Sequence, residues 1–190
     1  MPMKRRTLAL AAVGVAGAAA GLVWRSRQDG VSADHAGGSG SPPTGSGDPA
    51  LSSFWAQSVE RVDGRPLALG SLRGRRLLVN FWATWCPPCI REMPLLDRFH
   101  REFGTGAGPR RWTVLGLAID RREAVVDFLA RQPVGYEIAL AGFEGSQWSR
   151  QMGNDTGGLP FSVAIDASGR IVERKLGEVS EAELRSWASR

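Results

Sequence analysis

The chain has 190 residues but only two cysteines, two histidines and two lysines. Each scarcity closes off a class of function. Structural zinc takes four ligands, and there is no second Cys or His pair to complete such a set. Covalent haem attachment needs His directly after the second Cys of the motif, where this chain has Ile90. A peroxide-reducing cysteine of the peroxiredoxin kind calls for Thr three residues ahead of it, where Ala83 stands. With no cysteine near the N-terminus, an acyl anchor there is excluded. Of the 24 basic residues, 22 are Arg, and they are scattered singly or in pairs such as Arg75-Arg76, Arg110-Arg111 and Arg121-Arg122. The net charge of +5 therefore forms no stripe interleaved with aromatics, which argues against nucleic acid as a partner. An anionic membrane surface or an acidic partner is equally compatible with it. No internal repeat is present.

The composition divides the chain in three. "MPMKRRTLALAAVGVAGAAAGLVWRSR" opens with Lys4, Arg5 and Arg6, runs uncharged from Thr7 to Trp24, and returns to charge at Arg25. As a helix this uncharged stretch reaches about 27 Å, just enough for a bilayer core, although Ala and Gly dominate it. Residues 1–25 thus read as a signal-anchor helix or a signal peptide, with Ala18-Ala19-Ala20 as an A-x-A cleavage site in the second case. Positive charge ahead of the apolar stretch puts the rest of the chain outside the cytoplasm, in an oxidising compartment. Residues 26–50, "SRQDGVSADHAGGSGSPPTGSGDPA", are Gly, Ser and Pro with hardly an apolar side chain and read as a flexible linker. His35 falls there and reads as solvated. Residues 51–190 are long enough for one domain with a proper core.

Within that domain, "RRLLVNFWA" and "WTVLGLAID" are near-continuous apolar runs, the pattern of parallel strands covered on both faces. Between them "PCIREMPLLDRFHREFG" spaces Ile90, Met93, Leu96, Phe99 and Phe103 three or four apart, a helix that Gly104 stops and Pro94 interrupts. His100 lies beside this stripe and reads as a packing or surface residue. "REAVVDFLARQ" predicts another helix, "YEIAL" a short strand and "GSQWSRQMG" a further helix. "PFSVAID" and "RIVERKL" form a hairpin across Asp166 to Gly169, and "SEAELRSWAS" is a final helix with Ser180 and Glu183 as a capping box. Ahead of all these, Asp63-Gly64 separates two short strands of an N-terminal hairpin. The order is ββ followed by βαβαβαββα.

The two cysteines sit together in "NFWATWCPPCIREMP". A crosslink between positions three apart contributes only about 2 kcal/mol in the chain-entropy model, so the pair reads as chemical and not as a staple. The strand ending near Ala83 and the helix starting near Pro88 place Cys86 at the helix N-terminus. The two prolines hold Cys86 extended there, where unpaired N–H groups and the helix dipole favour a thiolate. A thiolate is the form that attacks disulfides. Cys89 lies one turn on, on the same face. Cys86 is then the attacking thiol and Cys89 the resolving one, a two-electron switch. The same two thiols also suit Cu(I). Glu92 reads two ways, as a carboxylate favoured by the helix dipole or as a proton-handling acid.

"LLVNFWATWCPPCIREMPLLDRF", "GGLPFSVAIDASGRIV" and the hairpin "GRPLALGSLRG" together resemble the membrane-tethered, thioredoxin-like thiol–disulfide oxidoreductases of the TlpA/ResA kind, which include the cytochrome c maturation reductases. The resemblance runs from Phe54 to the C-terminus. It implies an α/β thioredoxin fold with an N-terminal β-hairpin and an inserted strand and helix between Tyr136 and Met152. It places the nucleophile at Cys86, the resolving thiol at Cys89, a reversible disulfide between them and an acid at Glu92. Asn80 stands where ordinary thioredoxin has a buried Asp, which strengthens Glu92 as the acid partner of Cys89. It implies a cis peptide bond at Leu159-Pro160, with substrate backbone pairing there; Trp85 and Phe161 read as added apolar contacts, and Trp82 as core packing ahead of such a contact. The function so implied is reduction of disulfides in envelope proteins, possible substrates being apocytochrome c or a copper-site assembly protein. A membrane thiol carrier would resupply the electrons, with no cofactor and no metal. The location implied is the periplasmic side of the inner membrane, anchored or secreted. A Cu(I) metallochaperone using the same thiols is the alternative.

Overall fold

The computed structural model describes residues 48–190, apart from 106–110. The signal or anchor segment and most of the linker lie outside these residues. Among the described residues seven strands, numbered in chain order, form one mixed sheet in which they lie second, first, fifth, fourth, third, sixth, seventh. β3 (Arg76–Trp82), β4 (Trp112–Ala118) and β5 (Glu137–Leu140) are mutually parallel neighbours. β6 (Phe161–Ile165) and β7 (Ile171–Leu176) continue the sheet antiparallel beyond β3. On the other edge β1 (Ser58–Arg61) and β2 (Pro66–Ala68) form the expected hairpin, with Gly64 at a φ of 87° in its turn. The inserted strand and helix are β5 and α4 (Glu144–Gln151).

Because side chains alternate along a strand, β3 feeds two cores. Leu77, Val79 and Phe81 meet Phe54 of α1 (Ser52–Trp55) and Trp148 of α4 on one face. Leu78 and Trp82 meet the other three helices on the opposite face. These are α2 (Pro87–Phe103), α3 (Arg122–Arg131) and α5 (Glu181–Ser189), which supply Met93, Val125 and Trp187 among others. Being covered on both sides explains why β3 and β4 read as unbroken apolar runs. Asn80 shares the second face and is the one polar side chain of β3 that is fully buried.

The capping box of α5 is present, with Ser180 Oγ accepting from Glu183 N and the Glu183 side chain accepting from Ser180 N. Pro94 sits inside α2, where it removes one helical donor without ending the helix. α1 and the 3₁₀ turn Pro49–Leu51 ahead of it were not anticipated. Seven residues are too few to display a period, and what holds them is burial of Leu51 and Phe54 under the sheet. The linker reading extended to Ala50, yet Asp48 N donates to Gly169 O at 3.0 Å and the Asp48 side chain caps that turn. Its last three residues lie in the fold.

Every buried apolar residue among those described lies at or after Leu51. A chain lacking residues 1–47 is therefore expected to unfold in urea as one cooperative transition with native far-UV dichroism. A non-cooperative transition would show that the removed residues belong to the core.

Candidate active site

β3 runs into α2 through the turn Ala83–Cys86 at the carboxyl ends of the parallel strands. Cys86 N donates to Ala83 O, and Ile119 N at the end of β4 donates to Trp82 O at 2.8 Å. Asp120 continues this tie, since its Oδ2 accepts from Thr84 N at 2.9 Å and from Thr84 Oγ1 at 2.5 Å. Burial opposes ionisation of Asp120, but the bonds from Thr84 and Arg121 outweigh it and hold the carboxyl below the usual range. Asp120 thus clamps the loop that carries the cysteines. Nothing in the sequence alone distinguishes it from an ordinary strand-end carboxylate.

Cys86 is the N-cap of α2, in extended geometry with φ −101° and ψ 97°, as the prolines after it require. Its Sγ accepts from Cys89 N at 3.3 Å. The two sulfurs are bonded to each other, with an S–S distance of 2.02 Å. Cys86 is 4% exposed and Cys89 0%, so what little access the pair has is at Cys86. Among the described residues no group of three or more His, Cys, Asp or Glu is placed to hold a metal ion.

Glu92 is in the second turn of α2, not the first, which removes the simple helix-dipole reading. It is 2% exposed and lies against the sheet. Its Oε1 accepts from Asn80 Nδ2 at 2.7 Å and its Oε2 from Val179 N at 2.9 Å. Asn80 Nδ2 also donates to Ser162 Oγ at 3.0 Å. Burial raises the Glu92 carboxyl to about 7 against the pull of the Val179 and Asn80 donors, with Glu178 adding to the rise. Being three residues beyond Cys89, it lies on the same face of the helix.

The Leu159-Pro160 peptide is cis. The register Phe81↔Phe161 sets Pro160 opposite Trp82, beside the loop that leads to Cys86, and Pro160 O accepts from Gly177 N. Leu159 is half-buried. Trp85 is 66% exposed, free to offer apolar surface next to Cys86. Trp82 packs on Phe128 in the core, and Phe161, stacked near Phe81, is buried too, so neither offers surface. Two exposed apolar residues went unnoticed in the sequence. Leu176 pairs in register with Phe161, and Phe143 follows the end of β5, so both lie at the sheet end that carries Cys86. His100 keeps a packing role, its ring 6.5 Å from that of Tyr136.

The redoxin family model matches residues 45–187, which takes in this whole arrangement. The chain belongs to the redoxin family. Among redoxin relatives, the thiol-disulfide oxidoreductase ResA of Bacillus cereus is 28% identical over 131 residues, covering 68% of this chain and 70% of that protein. A thioredoxin-family thiol:disulfide interchange protein of Chlorobium tepidum superposes with a TM-score of 0.60 at 31% identity, covering 70% of this chain and 90% of the other. DsbF of Mycobacterium tuberculosis superposes at 0.61 with 25% identity, over 74% and 96% of the two chains. The protein is accordingly a ResA/TlpA-like thioredoxin-family thiol–disulfide oxidoreductase. Among the described residues no helix is long and apolar enough to cross a membrane.

The raised Glu92 carboxyl predicts an unusual pH dependence for this redoxin. Between pH 4.5, the ordinary value, and about 7, the folded chain keeps a proton that the unfolded chain has released. Stability therefore falls as pH rises through that window, by on the order of 3 kcal/mol in all, and the loss is complete above it. Urea titrations of the oxidised protein across this range are expected to show the fall, and Glu92→Gln to flatten it. An equal fall in both proteins would place the responsible group elsewhere.

Proposed function

We propose that the chain is a membrane-tethered reductase of protein disulfides on the outer face of the cytoplasmic membrane. Cys86 is its nucleophile, Cys89 its resolving thiol and Glu92 its proton acceptor. The observation that carries this reading is the buried carboxyl of Glu92, poised to change protonation near neutrality one turn beyond the buried sulfur of Cys89. A resolving thiol shut away from water has to lose its proton to a group inside the protein, and an acid tuned close to ambient pH is suited to accept it.

In the reduced protein, Cys86 at the helix N-terminus ionises and attacks one sulfur of the substrate disulfide. This forms a mixed disulfide and releases the other substrate sulfur as a thiolate. Cys89 then gives its proton to Glu92 and attacks Cys86 Sγ. The second substrate sulfur leaves, and the Cys86–Cys89 disulfide remains. Two electrons pass to the substrate, and a thiol carrier of the membrane returns them to the pair. Leu159 and Pro160 are suited to align an extended substrate segment, with Trp85 as apolar contact beside the attacked bond.

The reductive direction follows from the TlpA/ResA resemblance, since Cys-Pro-Pro-Cys alone sets none. Envelope proteins whose cysteines have to be free before they receive haem or copper are the substrate class this reading favours. The N-terminal charge and apolar pattern supports placement at the membrane, anchored or released after cleavage.

Cys89→Ser blocks resolution and is expected to accumulate Cys86 in mixed disulfides with substrates, which can be isolated and identified. Trapped proteins whose function needs free thiols, together with a wild-type pair held mostly reduced in cells, bear out the reductase. Trapped proteins that mature by gaining disulfides, with an oxidised pair, would make it an oxidase. A wild-type protein that binds Cu(I) tightly yet turns over no disulfide would make it a copper carrier.

A further inference from the structure

Both oxygens of Glu92 face N–H donors, Asn80 Nδ2 on β3 and the backbone of Val179 ahead of α5. That arrangement suits the carboxylate. A protonated carboxyl carries a hydrogen on one of those oxygens, and a hydrogen on the Oε1 site that faces Asn80, or on the Oε2 site that faces Val179, would meet another donor. For Glu92 to donate along either of these directions, the partner there has to offer an acceptor instead. The Val179 N–H belongs to the backbone and cannot be reversed. The Asn80 amide can, because half a turn about its last side-chain bond exchanges Nδ2 for Oδ1.

Two further features suit Asn80 to this exchange. Its Oδ1 is buried and, among the described residues, has no hydrogen-bond partner, so the present orientation sacrifices no bond on that side. Its other contact is the fully buried Ser162 Oγ on β6, and a hydroxyl both donates and accepts. With the amide as described, Nδ2 donates to Glu92 and to Ser162. With the amide turned over, Oδ1 takes that place and accepts from the Glu92 hydroxyl and from Ser162. The site keeps its bonds to Glu92 and Ser162 in both states, and the turned amide exchanges an unpaired buried Oδ1 for an unpaired Nδ2.

We propose that Asn80, with Ser162, is the positioning residue that lets Glu92 gain and lose its proton, turning its amide over as the carboxyl changes state. The proposal rests on the proton-accepting reading of Glu92. It accounts for a neutral amide among the otherwise apolar buried residues of β3. An Asp would add a second buried charge, and an apolar residue would leave the carboxylate without one of its two donors. The other titratable groups coupled to the site are Glu178 ahead of α5, itself paired with Arg91, and Tyr136 ahead of β5, whereas Cys86 and Cys89 are joined as a disulfide and carry no proton. None of these is bonded to Asn80 among the contacts described.

The test follows the side-chain amide of Asn80 by NMR in the full oxidised chain in detergent, while the Glu92 carboxyl carbon is titrated in the same sample. The amide resonances are expected to move with the midpoint of Glu92, and their proximity effects to Ser162 to exchange between the two amide positions. Amide signals that stay constant while Glu92 titrates would overturn the proposal. Asn80→Leu removes a donor to the charged form and is expected to raise the Glu92 midpoint to about 8, slowing release of the mixed disulfide about fivefold at pH 7. A variant that loses stability but keeps the wild-type midpoint and pH–rate profile would leave Asn80 a purely structural role. Should Asn80→Leu fail to fold, the wild-type titration decides alone. A Glu92 that titrates with its amide partner while Glu92→Gln leaves the resolution rate unchanged would retain the amide exchange and overturn the catalytic reading of Glu92.

Discussion

Cys86 has to end a strand and begin a helix at once, and the site is organised around that junction. β3 delivers the chain to the carboxyl edge of the sheet, and α2 returns over the face that β3 has just formed. Two prolines directly after Cys86 keep it out of helical geometry, so the first donors of α2 remain open toward its sulfur. The loop before Cys86 is fixed from the side by Asp120, through the backbone and hydroxyl of Thr84. The pair is thereby presented at an edge while most of its surface is covered.

The same return of α2 over the sheet buries Glu92, and burial decides its chemistry. An exposed glutamate at this position would titrate as an ordinary carboxyl and offer little to a thiol at neutral pH. Pressed against β3, it rises to about 7 and becomes an acid that can change state near neutrality. Two donors moderate the rise without cancelling it. One comes from the strand beneath and one from the segment ahead of α5, two parts of the chain far apart in sequence. The stability given up to keep a carboxylate there is the counterpart, in the function proposed above, of having a tuned base beside the resolving thiol.

Much of this was legible in the sequence because the signals are local. The apolar runs of β3 and β4, the helical spacing in α2, the Asp-Gly turn and the Ser180 capping box each need only a few consecutive residues. The cysteine spacing and the prolines likewise placed Cys86 at the start of α2 from neighbours alone, as the N-cap shows. The cis bond at Leu159-Pro160 was reached through family resemblance, not from local chemistry. α1 was too short to show a period, and Phe161, read as a substrate contact, could not be told from a core residue without the sheet register.

What the sequence by itself determined is the class of chemistry: two cysteines three apart at a helix start, in a chain with no other cysteines, amount to a dithiol switch. Tertiary structure alone decided how that switch is served. The distance from Glu92 to Asn80 and to Val179, the Thr84–Asp120 clamp and the placing of Trp85, Leu176 and Phe143 along one end of the sheet all depend on residues from different elements. Burial and partner geometry set a carboxyl's proton affinity and a side chain's exposure, and both depend on what the rest of the chain brings alongside. No stretch of neighbouring residues carries that information.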